Sequence, residues 1–533
     1  MKRLIDWARQ QRRRGKLKQA FRIYDWRRQR AAKIRRWWRR NATPVFYKWG
    51  LVLRPNWGNG HYALGKALQR RYYLLPGEKK PRDSEELIDI MNRAAAHFGK
   101  VLQFNPEKLE VYEDLFSILY ALGRTSEAAI VLQQFDDLKR SLAEESQEDK
   151  LALRFIPKRI TGGIGLFGNL DYYVKAGILG WRPPHKIIML LPDEAPVSNR
   201  CFLDYWSQHI TVISDPKTIQ ALSPLVKHLE DPIHWALTCN GQALFLPAAN
   251  TMVQKQWDAE QRPPLMTLST SDYERGWRCL KGLGVPKDAW FVCLHVREPG
   301  FKDGDSTNDS YRNADIDTYL SAIKTVVDHG GWVIRMGNPT MKPLAAMNQV
   351  IDYAHCDVRS DWMDVFLSAQ CRFFIGTSTG LGVIAMAFGA PTVKTNYLPW
   401  NALWLSSKDL FLPKLFWSLR EKRNLTFPEI LSSPLSSGID QSSYDKLGVE
   451  ILENTPEEIN DIVLEMLMRI DGKLTYSASD ERLQKQFQSL TAACGTFPAA
   501  KDLTINCRMG NAFLGKHATL LEPPPQSEPS LAA

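Results

Sequence analysis

The sequence predicts an α/β protein: two doubly wound domains in series, preceded by a helical region and a basic segment. Three observations predict it. From about residue 155 to 475, short β-branched or aromatic runs alternate with runs of helical period. Residues 45–140 show helical periodicity alone. Residues 1–40 hold 17 of the 69 Lys/Arg against only Asp6 and Asp25, so the net +11 divides into +15 here and −4 over the rest. A chain of 533 residues is too long for one core. The expected divisions are 1–42, 43–145, 151–285, 286–475 and 476–533. The apolar runs are short, Ile187–Leu191 being typical, so no bilayer span is expected. The first residues lack the apolar core of a secretory signal. The eight cysteines are scattered without a C-x-x-C pair, which argues against zinc or a disulfide scaffold and suits a reducing cytoplasm.

Taken in order, the first element is a basic helix. Leu17, Phe21, Tyr24, Ala31, Ile34 and Trp38 fall roughly on one helical face, and Trp7, Trp26, Trp37 and Trp38 stand among arginines. Tryptophan at headgroup depth with cations on lipid phosphate suits an anionic membrane surface. A solvated tail is the second reading. Nucleic acid comes last, since no nucleic-acid-binding motif accompanies the charge.

Residues 45–140 contain a repeat: LRPNWGNGHYALGKAL (53–68) against FNPEKLEVYEDLFSILYALGR (104–124). Each joins an apolar helix end, a proline turn and a helix. Pro55 and Pro106 stand 51 residues apart, more than the ~34 of a tetratricopeptide repeat, with LPGEKKPRD (75–83) as an insertion. Leu115, Ile118, Leu119 and Leu122 form one stripe that Gly123 caps. The region resembles a short tetratricopeptide array at Trp57, Leu64, Gly65 and Ala67 and at Pro106, Gly123 and Ala128. The resemblance implies a protein partner for 45–140; the alternative is that the helices only pack on the next domain.

Strands are expected at RFIPKRI (154–160), HKIIMLLPDE (185–194) and HITVI (209–213), with a helix from Asp171 to Ala176. TGGIGLFGNL (161–170) is off the register of a dinucleotide fingerprint, so its glycines read as close backbone approach, to a ligand or to a neighbouring helix. This stretch supplies the acceptor-side candidates Gly163, Gly165, Asn169 and Asp171. The second α/β domain begins near 286, with strands at WFVCLHVRE (290–298), GGWVIRMGN (330–338), CRFFIG (371–376) and PTVKTN (391–396). A helix is expected over Ile316–Val327. Another follows in NTPEEINDIVLEMLMRI (454–470), with Asn454 or Thr455 as cap, Pro456 in the first turn and Glu457-Glu458 at its positive end. The tail LLEPPPQSEPSLAA is of disordered composition.

Two α/β domains in series place ligands at the carboxyl ends of strands. Three constellations fall there. In HVREPGF (295–301), His295 and Arg297 alternate and so share a face, and arginine offers a planar fork to a phosphate. IRMGNPTMKP (334–343) brings Arg335, Asn338 and Lys342. In GTSTG (376–380), Thr377, Ser378, Thr379 and Gly380 open a helix whose free N–H groups suit an anion. Each has a plainer reading: a satisfied strand histidine, a plain N-cap, Arg335 paired with Asp352 or Asp357. Their joint placement favours a site.

CLHVRE (293–298), YRNADIDTYLSAIK (311–324), GGWVIRMGNP (330–339) and FFIGTSTGLGVIAMAFGAPTV (373–393), in this order, resemble a family of bacterial glycosyltransferases found with surface-polysaccharide genes. The HVR and STG elements also resemble the nucleotide-sugar half of fucosyltransferases of two-domain GT-B fold. The resemblance implies two Rossmann-like domains, with acceptor in the first and nucleotide sugar in the second. Arg297 would contact the diphosphate, Ser378-Thr379-Gly380 would hold phosphate or ribose, and His295 would sit near the sugar. Fucosyltransferases often have glycine soon after the arginine; here Glu298-Pro299 precede Gly300, which argues against GDP-fucose.

Breaking a sugar–phosphate bond puts charge on the diphosphate, which Arg297 and the helix start would stabilise. Asp303-Gly304-Asp305 has the letters of a metal-binding D-x-D but stands in a polar loop, so metal-free catalysis without a cofactor is expected. Glu298, Asp171 and Asp305 are candidates for the base that deprotonates the acceptor, Glu298 first. The reading is a cytoplasmic glycosyltransferase, peripheral at the inner face of the membrane, acting on a lipid-linked or surface glycan. The rivals are a nucleotide-sugar epimerase of the same architecture and a tetratricopeptide scaffold with an inactive α/β region.

Overall fold

A computed structural model describes Tyr47 and residues 51–52, 54–73, 84–233, 236–299, 307–400, 405–437, 441–493 and 503–523. The basic segment 1–40, the 75–83 insertion, the Asp303-Gly304-Asp305 loop and the tail from 524 lie outside the described residues. The chain forms two compact units, Met1–Phe135 and Asp136–Ala533.

In the first unit, helix Gly58–Tyr73 packs on Ser84–Phe104, which packs on Leu109–Ala121. Gly65 lets the first pair close: a Cβ there would fall 2.7 Å from the Phe98 ring. His61 Nδ1 and His97 Nδ1 meet at 2.8 Å across the same pair. Gly123 takes φ +71° just after the third helix, and its N–H bonds Tyr120 O at 3.0 Å, so the expected glycine stop is present. Helix Thr125–Glu145 carries the division between the units.

The second unit begins with a small parallel sheet, β1 (Leu153–Phe155), β2 (Lys186–Leu190) and β3 (Thr211–Ile213), in that order. It is smaller than a full doubly wound half. The first expected strand stops at Phe155: Pro157 removes an amide donor, and the chain turns into two 3-10 segments, Lys158–Gly162 and Ile164–Phe167. Helix Gly168–Ile178 follows. A hairpin, β4 (Ala236–Cys239) and β5 (Gln242–Phe245), completes the strands of this half.

A larger parallel sheet follows. Its strands are β6 (Phe291–His295), β7 (Trp332–Arg335), β8 (Val350–Ile351), β9 (Phe374–Gly376), β10 (Thr392–Tyr397) and β11 (Leu410–Pro413). Next come β12 (Leu415–Ser418), β13 (Arg423–Asn424) and β14 (Val449–Leu452), which form a separate antiparallel sheet in the order β13-β12-β14. Finally β15 (Arg508–Met509) pairs with β11 as the seventh parallel strand. The large sheet therefore runs β15-β11-β10-β9-β6-β7-β8. From β6 the chain winds outward through β7 and β8, then crosses back to β9 and continues the other way. The reversal lies between β6 and β9.

Alternate residues of β6 enter different cores, which is why it reads as a continuous apolar run. Phe291 and Cys293 join a cluster with Phe374, Ile384 and the first half's Phe167, Phe202 and Trp206. Val292 and Leu294 join Val333, Ile375, Val393 and Phe411 on the opposite face. Segment 476–533, expected as a helix and a tail, also delivers β15, and Ile505, Cys507, Phe513 and Leu514 are buried in that second cluster. Helix Pro456–Ile470 has the expected start, with Thr455 and Glu458 closing a reciprocal capping box.

Candidate active site

In an open parallel sheet, the point where winding reverses leaves a crevice at the carboxyl ends of the two central strands. Here those ends are His295 on β6 and Gly376 on β9, which are register partners. Two bonds tie them: Thr377 N donates to His295 O at 3.2 Å, and Arg297 N donates to Thr377 Oγ1 at 3.1 Å. Segments 80 residues apart thus meet at one turn through the Arg297 backbone.

The side chains divide into those already employed and those left with an unused polar atom. Thr377 is fully buried and its hydroxyl accepts from Arg297 N, so it is a strut rather than the expected donor contact. Ser378 Oγ donates to Leu398 O at 2.5 Å and accepts from Leu398 N at 3.2 Å. The Ser378 carbonyl accepts from Arg312. Asn338 Oδ1 accepts from Thr340 N at 3.1 Å and Thr340 Oγ1 at 2.5 Å, closing its own turn. By contrast His295 Nδ1, Thr379 Oγ1 and Arg312 Nε are buried atoms without hydrogen-bond partners among the described residues. Buried polar atoms are rarely left so unless something else meets them.

Arg297 lies beyond the end of β6, so strand alternation does not set its direction; its Nε donates to Asn313 Oδ1 at 3.1 Å. Asn313 also accepts, through its carbonyl, from Lys414 Nζ at 2.6 Å. Both line a cavity of about 470 Å³ with Tyr311, Gln441, Glu450 and Glu453. His295 is pushed down to about 3 by burial first, then by Arg335, Lys394 and Arg297, so it is a neutral ring at pH 7.

Two expectations are corrected. Arg335 is fully buried and spends its guanidinium on Glu298 and Asp352, each at 2.9 Å, and on Lys342 O at 2.9 Å. Glu298 also accepts from Lys342 N at 3.2 Å, and burial pushes its carboxyl up. Arg335 as a donor-binding group and Glu298 as a base give way to one closed ionic knot. Asp171 belongs elsewhere too. It pairs with Lys175 at 2.5 Å and lines a small cavity with Gly389, Pro391 and Asp409. Those residues precede β10 and β11, at the amino ends of the strands, whereas the 376–380 turn lies at the carboxyl end of β9. Its Oδ1 has no hydrogen-bond partner among the described residues, and burial raises its pKa.

The glycine-rich stretch resolves to a neighbouring helix. A Cβ on Gly380 would lie 2.8 Å from Gly165 N and 3.0 Å from Ile164 Cβ. Gly168 faces Val383 at 3.3 Å. Both glycine-rich turns are bare because the two halves touch there. Gly163 stands between the two 3-10 segments with extended φ, and Asn169 is buried in the first turn of the following helix.

Sequence reading missed Lys394. It is 3 % exposed, in the middle of β10, and has neither a hydrogen bond nor an ion pair among the described residues. Its register partner is Gly376. A Cβ on Gly382 would sit 2.2 Å from its Nζ, so the second glycine of STGLG clears room for the ammonium. The signal available was a lysine inside a strand-like run three residues after proline.

No protein-family model matches this chain, and no curated protein matches it. Among solved structures it is similar to the ADP-heptose LPS heptosyltransferase II of E. coli, at 13% identity and TM-score 0.34, over 60% of this chain and 99% of that one. It is similar to a family 9 glycosyl transferase from Veillonella parvula, at 8% identity and TM-score 0.34, over 60% and 97%. It is also similar to E. coli heptosyltransferase WaaC with ADP, at 10% identity and TM-score 0.25, over 45% and 86%. At TM-scores this low the strand order described above, and not the likeness, carries the fold.

Proposed function

We propose that the chain is a glycosyltransferase that moves a sugar from a nucleotide-sugar donor to a lipid-linked or surface-glycan acceptor, without a metal. The observation that carries this reading is the meeting of the Arg297 backbone, the Arg312 guanidinium and buried polar atoms without partners among the described residues at the reversal point of a seven-stranded parallel sheet. Cations and unspent donors there suit a diphosphate, whose charge grows as the glycosidic bond to it breaks. Helix Leu381–Ala387 has only seven residues, so its dipole is small and the side-chain cations carry most of the work. The cavity beside Asn313 has room for part of the donor. The neutral His295 ring can accept or donate a hydrogen bond near the sugar but adds no charge.

Segment 1–40 is proposed as the contact with an anionic membrane surface, on its composition. The described helices contain none long and apolar enough to cross a membrane. The helix pairs of the first unit are proposed, as a tetratricopeptide-like array, to engage a protein partner. A thermal-shift panel of nucleotide sugars tests the reading: at least one should raise the melting temperature of the full chain. No shift with any UDP-, GDP-, ADP- or CMP-sugar contradicts it. Deleting residues 1–40 should release the protein from vesicles of anionic lipid, and undiminished binding would remove the anchor.

A further inference from the structure

Lys394 is a buried ammonium with no hydrogen bond or ion pair among the described residues. Its neighbours can be named from every side. On β9 lie Gly376, which has no side chain, and Phe374, whose ring centroid is 5.7 Å from Nζ. Beyond β9 lies the neutral His295 of β6, flanked by Arg297 and Arg335. Above lies helix Leu381–Ala387, which brings apolar side chains and the bare Gly382. The acid on this side is Asp409, at the entry to β11, and it is already engaged by Thr392 N and Thr392 Oγ1 and by Ser406 N. Burial pushes Lys394 down to about 8, with Asp409 pulling the other way. A buried ammonium without an anion is costly and rarely retained without use.

We infer that Lys394 is a positioning residue for the anion at the 376–380 turn: its ammonium, seated under Gly382, is the fixed counter-charge of the bound diphosphate. The inference rests on the proposed nucleotide-sugar reading and deepens it. It makes diphosphate binding proton-linked, because the anion stabilises the charged lysine and the empty site does not.

Calorimetric titration of the full chain with ADP, GDP, UDP and inorganic pyrophosphate, at pH 7 and at pH 9.5, tests it. Lys394→Met should weaken pyrophosphate and the preferred nucleotide ~10- to 100-fold at pH 7. Wild-type affinity should fall between the two pH values while that of the variant stays level. Gly382→Ala drives a methyl into the ammonium's place and should also weaken binding, yet add nothing in the Lys394→Met background. A merely structural lysine would move neither the pH profile nor this cycle. Should Lys394→Met not fold, Gly382→Ala alone still decides, and unchanged binding in it overturns the inference. Nucleotide binding that is indifferent to both variants and to pH overturns the role of Lys394 and leaves the glycosyltransferase reading standing. Lysine-dependent binding of pyrophosphate without any nucleotide keeps Lys394 and removes that reading. Binding of neither probe by the wild type removes both.

Discussion

Arg335 and Lys394 are two buried cations in one sheet, on strands either side of the reversal point. Arg335 on β7 is charge-compensated: two carboxylates and a carbonyl meet its two terminal nitrogens at 2.9 Å, and only Nε has no partner among the described residues. Lys394 on β10 is as deeply buried and meets no carboxylate within ion-pair distance among the described residues. The chemistry of the two groups is similar, and their surroundings differ completely. The lesson is that burial of charge does not mark function; burial without a partner does. The fold supplies the arginine's counter-charges, while on the inference drawn above a ligand supplies the lysine's.

Breaking the comparison at its strong side should give the largest effect. Arg335→Met leaves Glu298 and Asp352 facing each other without their cation and should cost roughly 3–5 kcal/mol of stability, read by chemical denaturation. A loss below ~1 kcal/mol would show that the knot is not structural. The weak side should respond with the opposite sign. The folded pKa of Lys394, about 8, lies below its ordinary 10.5. The unfolded chain therefore binds the extra proton between those values, and wild-type stability rises with pH across that window. Lys394→Met should remove that dependence and stabilise the ligand-free protein at pH 7, by on the order of 3 kcal/mol if the whole penalty is relieved. A variant that melts below the wild type at pH 7 would make Lys394 an ordinary structural residue.

The third comparison sets Arg297 against both. It is half-buried, with its Nε held by Asn313. Arg297→Ala should abolish donor turnover while shifting stability by about 1 kcal/mol or less, because its backbone bond to Thr377 survives the change. Turnover at the wild-type rate would exclude it from the site. The smallest effect is expected of Asn313→Ala, which frees the Arg297 guanidinium to move. It should raise the KM for donor by a few-fold with little change in kcat.

Much of this site was legible in the sequence because both faces of the central strands are buried. Phe291–His295, Trp332–Arg335 and Phe374–Gly376 read as strands from their apolar runs, and the turns after the first and third fall where function was sought. The start of helix Pro456–Ile470 was legible because capping is local chemistry. The employment of individual side chains was not. Thr377 and Ser378 look like phosphate ligands in a string of letters, yet their hydroxyls are taken by Arg297 N and by Leu398. Glu298 and Arg335 stand 37 residues apart, and only the pairing of β6 with β7 makes them partners. A two-residue strand such as β15 carries no period to detect. Lys394 stayed hidden because a lysine in a run such as PTVKTNY reads as a solvent-facing edge; its meaning comes from strands on both sides of it.

The central claim is that an anion at the 376–380 turn completes the environment of Lys394. Its most direct test is the binding heat of a nucleoside diphosphate at pH 8, measured in two buffers of different ionisation enthalpy. The account predicts heats that differ by the uptake of roughly half a proton in the wild type, and equal heats in Lys394→Met. Equal heats in the wild type, with the nucleotide bound, would contradict it.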